Sequence, residues 1–327
     1  MRSFGARMFA VALVASAVSV LGATPASADA HVTSLDHVEG SRWTMTVYSP
    51  AMGREIPLDV IRPAGGAPAP TLYLLNGAGG GEDGANWQSQ TDVVDFFADK
   101  NVNVVTPAQG LGSYYTDWIA RDPVVGQPMW ATFLTDELPG VVNGALGTNG
   151  RNAVAGVSMS ATSVLDLAID RPGLYDGVAS LSGCARTATP EAQLAIRGVV
   201  RVANGGNADN MWGPPNAPAW LDHDPYLRAE ELRGTELYIS SGSGLPGRFD
   251  TPEAPRHAGA PPLLDQILVG GAIEAATRYC TVSMADRLRD LGIPATIDLP
   301  GDGTHSWLYW QDQLHKAWPV LAQSVTR

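Results

Sequence analysis

A short apolar run, Asn152-Ala153-Val154-Ala155, breaks at Gly156 and passes through Val157-Ser158-Met159 into a helical pattern of small and apolar residues from Ser160 to Asp170. The pattern ends at Arg171-Pro172-Gly173, residue types that stop helices. The stretch therefore reads as buried strand, tight turn and helix, with Ser158 at the turn. A serine placed there, with small residues two positions to either side, has its hydroxyl pushed out from a strained backbone, which is the geometry of a nucleophile elbow. Here the pattern is Gly-x-Ser-x-Ser rather than Gly-x-Ser-x-Gly. Ser160 is small enough for the turn, but a serine capping an ordinary helix is the competing reading, so the rest of the chain has to decide.

The 327 residues are 45% hydrophobic and 17% charged, enough apolar material for the core of one large α/β domain. A net charge of −12 disfavours nucleic acid and anionic membrane surfaces, and suits a neutral or apolar substrate. Arg2 and Arg7, the apolar run Met8–Leu21 and then Ala26-Ser27-Ala28 have the layout of a signal peptide. The run is shorter than the roughly 20 residues a membrane-spanning helix needs, so cleavage after Ala28 is expected, with Ala30 as the alternative. Residues 29–327 then form a single exported catalytic domain, with no later stretch able to span a membrane. Cys184 and Cys280 are the two cysteines; an even count outside the cytoplasm predicts one disulfide between them.

Along the mature chain, Arg42 to Ser49 and Glu55 to Ile61 alternate apolar and polar residues and read as a first antiparallel pair. Thr71 to Leu75 is almost wholly apolar, as in a central strand covered on both faces. It empties into Asn76-Gly77-Ala78-Gly79-Gly80-Gly81, which lacks the lysine of a P-loop and the full dinucleotide fingerprint. No cofactor and no metal is expected. Further strands are predicted at Asn101 to Pro107, before Ser158, at Val178 to Gly183, at Leu237 to Ser240 and at Ala295 to Leu299, with helical segments between most of them. This alternation indicates a mostly parallel central sheet flanked by helices, an α/β-hydrolase fold. Residues 184–233 read as a helical and loop insertion over the site. Within that fold, the glycine-rich loop and the residue after the nucleophile supply backbone N–H groups to an oxyanion.

A serine nucleophile needs a histidine base and an acid to orient it. Of six histidines, His305 sits in the loop after the last predicted strand, where the chain order nucleophile, acid, histidine puts the base. Six carboxylates compete for the acid: Asp250, Glu253, Asp265, Glu274, Asp298 and Asp302. Spacing alone leaves these six open.

Leu75-Asn76-Gly77, the elbow Gly156 to Ser160, Asp209-Asn210-Met211-Trp212-Gly213-Pro214, Asp224-Pro225 and Gly303-Thr304-His305-Ser306-Trp307-Leu308-Tyr309-Trp310 together resemble the antigen 85 mycolyltransferases. The likeness runs in order through nearly the whole mature chain, and its last motif is more specific than the elbow. The resemblance implies a secreted, cell-envelope acyltransferase of a mycolate-containing actinobacterium. Such enzymes move a mycoloyl chain from trehalose monomycolate to a second trehalose monomycolate or to arabinogalactan. Position by position, Ser158 matches the nucleophile, His305 the base, Ala78 and Met159 the oxyanion donors, and Trp307 a tryptophan beside the sugar. The family's acid is a glutamate at the start of the helix before the last strand. Ungapped counting back from His305 lands on Ile273, one place from Glu274, which the resemblance therefore implies as the acid. Where the mycobacterial proteins carry an aspartate and an arginine against trehalose, this chain has Asn76 and Gly79, so the sugar contacts differ and Asn76 is the substrate-binding candidate there.

Trp87, Tyr114, Tyr115, Trp118 and Trp212, with Trp307, are candidate apolar walls and stacking faces. Two further readings use the same residues differently: a secreted carboxylesterase or lipase with the same triad, and a cell-wall binding protein that keeps the fold without the chemistry.

Overall fold

The computed structural model describes residues 29–326; the signal peptide expected over residues 1–28 lies outside the described residues. Among the described residues, nine strands form one sheet: β1 (His31–Glu39), β2 (Arg42–Ser49), β3 (Arg54–Ile61), β4 (Thr71–Leu75), β5 (Asn103–Pro107), β6 (Asn152–Val157), β7 (Gly177–Leu181), β8 (Glu236–Ser240) and β9 (Thr296–Asp298). Their spatial order is β1-β2-β3-β5-β4-β6-β7-β8-β9. The first three are antiparallel and β3 meets β5 antiparallel, while every pairing from β5 through β9 is parallel. This is the mostly parallel α/β-hydrolase sheet that the alternation of strands and helices implies.

Side-chain alternation splits the core between the two faces. Tyr73 and Leu75 of β4, Val105 of β5 and Val154 of β6 join one apolar cluster, while Leu72, Leu74, Val104, Ala153, Ala155 and Val157 join the other. The helix Met159–Asp170 covers the first face with Val164, Leu165 and Ile169. The last helix, Trp307–Thr326, covers the second with Trp310, Leu314, Ala317 and Leu321. Because both faces are covered, β4, β6 and β7 are buried along their whole length, which is why they appear in the sequence as unbroken apolar runs.

One difference from the sequence reading concerns β1. The first antiparallel pair is extended by β1, an edge strand whose residues are half-exposed or exposed throughout; Val32 and Leu35 pack on the core, but a register shift after Val32 breaks the alternation that a sequence reading needs. Residues 184–233 hold the helices Pro190–Asn204, Ala208–Trp212 and Ala219–Asp222. They rest on the segment 110–129, with Ile119 N–H donating to Met211 O (3.2 Å), Ala120 N–H to Asn210 O (3.0 Å) and Asn204 Nδ2 to Leu111 O (2.9 Å).

The disulfide joins Cys184, in the loop after β7, to Cys280 on the helix Gly271–Asp290, across a sequence separation of 96. Cross-links over loops of this length restrict the unfolded chain and typically contribute about 2–4 kcal/mol. Denaturant titration with and without reductant is expected to show a loss of that size, and Cys184→Ser is expected to reproduce it without reductant.

Candidate active site

Strand β6 delivers Ser158 into a conformation that serine rarely takes, with φ 58° and ψ −119°. The neighbours explain how the turn is held. A Cβ at Gly156 would lie 2.5 Å from the carbonyl oxygen of Ser160, so only glycine allows the strand to fold back that closely. Ser160 is fully buried, and its Oγ accepts from Val157 N–H (2.8 Å) while lying 3.2 Å from Leu75 O and 3.1 Å from Val157 O as a donor. The serine in place of the second glycine of the motif therefore ties the helix start to β6 and reaches the end of β4. Ser158 is half-exposed at the tip, and its own N–H continues the sheet by donating to Leu181 O (2.9 Å).

His305 Nε2 lies 2.8 Å from Ser158 Oγ, and His305 Nδ1 lies 2.7 Å from Glu274 Oε2. An ionised carboxylate accepts only, so the imidazole proton belongs on Nδ1 and Nε2 is left to accept from Ser158. Of the six carboxylates that spacing left open, Glu274 is the one bonded to His305. Asp250 instead accepts from Gly247 N–H, Gln266 Nε2, Thr304 Oγ1 and Tyr309 OH, and Asp298 from Lys316 Nζ and Gln313 Nε2.

Glu274 is fully buried. Burial pushes its carboxyl pKa up, yet the bond to His305 and its charge, with donation from Ser182 and Gly242, outweighs burial and holds it below the ordinary value of 4.5. Its Oε1 accepts from Ser182 Oγ (2.7 Å), Ser241 Oγ (3.0 Å) and Gly242 N–H (2.6 Å). Ser182 and Ser241 each sit one residue past the ends of β7 and β8, and Ser182 has φ 55°. Sequence reasoning missed both, although two serines just beyond the ends of neighbouring parallel strands are a readable signal.

The two expected oxyanion donors, Ala78 and Met159, are the residues that follow Gly77 and Ser158. The loop after β4 approaches so closely that a Cβ at Gly77 would be 3.6 Å from Ser158 Cβ. Ala78 N–H donates to no acceptor among the described residues, while its carbonyl accepts from Gly112 N–H (2.9 Å). Met159 is the first residue of its helix, so its N–H has no preceding turn to bond; its sulfur lies 3.4 Å from Tyr114 N–H, which packs the segment 110–129 against the elbow.

Asn76 corrects the sequence reading. It is 1% exposed, with Nδ2 donating to Pro107 O (3.3 Å) and Oδ1 accepting from Trp87 N–H (3.3 Å). Its amide braces the glycine-rich loop from beneath and is not presented to a sugar. At Gly79 a Cβ would fall 2.3 Å from Asp83 Oδ2, so the Asp83 carboxylate occupies that place. The proposed stacking faces also need correction: Trp87, Tyr114, Tyr115, Trp118 and Trp212 are core residues, each at most 6% exposed. Trp307 is half-exposed, edge-on to Trp87 and Trp310. It lines, with His305, a cavity of about 160 Å³ under the loop 249–262.

A possible cation site lies elsewhere, where Asp166, Asp170 and His223 bring ligand atoms within 4.8 Å of one another. Arg228 Nη1 stands 2.7 Å from Asp170 and 3.7 Å from Asp166, so a guanidinium already supplies the positive charge there.

Residues 49–321 match the family model described as "Putative esterase". Ag85A of Mycobacterium tuberculosis (strain ATCC 25618 / H37Rv), named a diacylglycerol acyltransferase/mycolyltransferase, is 32% identical over 291 residues, covering 86% of this chain and 80% of that protein. The chain belongs to the antigen 85 family. The Mycobacterium leprae Ag85A is 31% identical over 96% of this chain and 90% of its own length. The crystal structure of M. tuberculosis MPT51 (FbpC1) superposes on this antigen 85 chain with a TM-score of 0.69 at 26% identity, covering 85% of the chain and 96% of MPT51. An S-formylglutathione hydrolase from Agrobacterium tumefaciens shares the fold, with a TM-score of 0.59 at 15% identity over 90% of the chain and 99% of its own.

Two measurements probe this geometry. Ser160→Ala removes a buried hydroxyl from Val157 N–H and is expected to cost about 1–3 kcal/mol in denaturant unfolding. The Glu274 pKa is depressed on folding, so the stability it contributes is present above 4.5 and lost as pH falls below that through the folded value. Glu274→Gln is expected to remove that acid-side loss of stability between pH 7 and pH 3, followed by thermal unfolding.

Proposed function

We propose that this chain is a secreted serine acyltransferase that moves a mycoloyl chain from trehalose monomycolate to a sugar hydroxyl. The observation that carries the reading is the Ser158–His305–Glu274 hydrogen-bonded line in a chain that belongs to the antigen 85 family. Trehalose mycolates are the substrates, with arabinogalactan as a further acceptor. Export follows from the reading of residues 1–28 and agrees with the presence of a disulfide. Among the described residues, no helix is long and apolar enough to cross a membrane.

The chemistry runs in two halves. His305 Nε2 takes the proton from Ser158 Oγ as the oxygen attacks the donor ester carbonyl, and Glu274 stabilises the imidazolium that forms. The Ala78 and Met159 N–H groups receive the oxyanion, each such donor contributing roughly 3–4 kcal/mol to the transition state. The imidazolium then returns its proton to the departing trehalose oxygen, leaving Ser158 acylated. In the second half an acceptor hydroxyl loses its proton to His305 and attacks the acyl-enzyme carbonyl; the bond to Ser158 Oγ then breaks, Oγ takes the proton back from the imidazolium, and the new sugar ester leaves. A sugar outcompetes water only if it is bound and oriented beside His305.

Incubation of the mature protein with trehalose monomycolate is expected to yield trehalose dimycolate, and Ser158→Ala to lower the rate by about 10⁴-fold or more. Free mycolic acid as the sole product would overturn transfer in favour of a carboxylesterase. No turnover by the unaltered protein would favour a binding role.

A further inference from the structure

The loop 249–262 contributes a cation to the space beside His305. Arg256 and His257 line the cavity together with His305 and Trp307, and none of the lining residues is an aspartate or glutamate. Although exposed, Arg256 is not left loose. Its Nη2 donates to Pro261 O and its Nη1 to Gln266 Oε1 (3.4 Å).

Gln266 is fixed in turn, its Nε2 donating to Asp250 Oδ1 (2.8 Å) and Phe249 O (3.3 Å). Asp250 also accepts from Thr304 Oγ1 (2.6 Å), the residue before His305. On the far side, Gln90 Nε2 donates to Ala258 O (2.7 Å), two residues beyond Arg256. The loop is thus pinned to the His305 segment at one end and to the helix Trp87–Gln90 at the other, with Arg256 held between.

We propose that Arg256 is the acceptor-selecting residue of this site, favouring hydroxyl-bearing acceptors that are neutral or anionic over cationic ones. The inference rests on the acyl-transfer reading and names what chooses the second substrate. A guanidinium offers five N–H donors and no acceptor, and so pairs with hydroxyl or carboxylate oxygens. An ammonium group in the same place also only donates, so both partners stay unpaired and their charges repel. Trp307 gives the apolar face on which the C–H side of a sugar ring can lie. On this proposal Arg256 contacts the acceptor and not the donor ester, so its influence belongs to the second half of the reaction.

The test uses the mature protein, a p-nitrophenyl fatty-acid ester as donor, and glucose, N-acetylglucosamine or glucosamine as acceptor at pH 6.5, where the amine carries its proton. The reading is the ratio of sugar ester to free fatty acid, together with kcat and KM for each acceptor. The unaltered protein is expected to favour the two neutral sugars over glucosamine by about three- to fivefold, the scale of one exposed charge contact, through KM and not kcat. Arg256→Lys keeps that order, Arg256→Ala abolishes it, and Arg256→Glu reverses it in favour of glucosamine. An unchanged order in Arg256→Ala and Arg256→Glu overturns the inference while leaving transfer intact. Ester turnover with no sugar acylated in the unaltered protein overturns the transfer reading itself, and the inference with it.

Discussion

A carboxylate with no exposed surface is the constraint around which this molecule closes. An ion of that kind costs several kcal/mol to bury and is held only where hydrogen bonds replace its lost water. At Glu274 the replacements come from four residues at three places in the chain: Ser182 after β7, Ser241 and Gly242 after β8, and His305 after β9. The carboxylate is satisfied only when three neighbouring parallel strands end in register and the helix Gly271–Asp290 lies across them. The disulfide acts on the same arrangement, since Cys184 follows Ser182 by two residues and Cys280 lies six beyond Glu274 on its helix.

The nucleophile obeys a different constraint, which is steric. A positive φ at Ser158 strains the backbone by roughly 1–3 kcal/mol, and the surrounding chain has to oppose relaxation. Gly156 lets the backbone fold over, Gly183 lets the neighbouring loop approach Ala161 to a distance that a Cβ would forbid, and the Ser160 hydroxyl bonds the end of β6. Electrostatics holds the acid and close packing holds the serine. His305 is the one group that touches both, with Trp310 set edge-on against its ring at 4.8 Å.

Much of this was legible from residues alone because the central strands are buried on both faces. Thr71–Leu75 and Arg42–Ser49 have the bounds that their patterns give, and the strand, turn and helix around Ser158 lie where Gly156 and Pro172 punctuate the chain. His305 could be selected from its place after the last strand. Glu274 could not be selected by spacing, because an acid is defined by what its carboxylate meets and six candidates lay on suitable segments. Asn76 was misread for a related reason: a polar residue in a glycine-rich loop looks available to a ligand, whereas its amide is satisfied by the backbones of Pro107 and Trp87. The aromatic residues of the segment 110–129 look like a binding surface in sequence, and only packing reveals them as core. Strand β1 was invisible because its two core-facing apolar residues, Val32 and Leu35, are only half-buried and fall three apart across an irregularity in its pairing with β2, which breaks the period of two.

The bridge between Cys184 and Cys280 also has a topological meaning. It closes a covalent ring that contains the insertion 184–233, strand β8, the loop 249–262 and Glu274 itself. The insertion leaves the sheet beside Cys184, past the end of β7, and returns at Glu236, the start of β8, at the opposite end of these parallel strands. Lengthening such a segment adds only slowly to the entropy of closing it, and the ends do not have to move to accommodate the change. The ring therefore lets its irregular segments differ in length and composition while the end of β7 and the helix that carries Glu274 stay tied together.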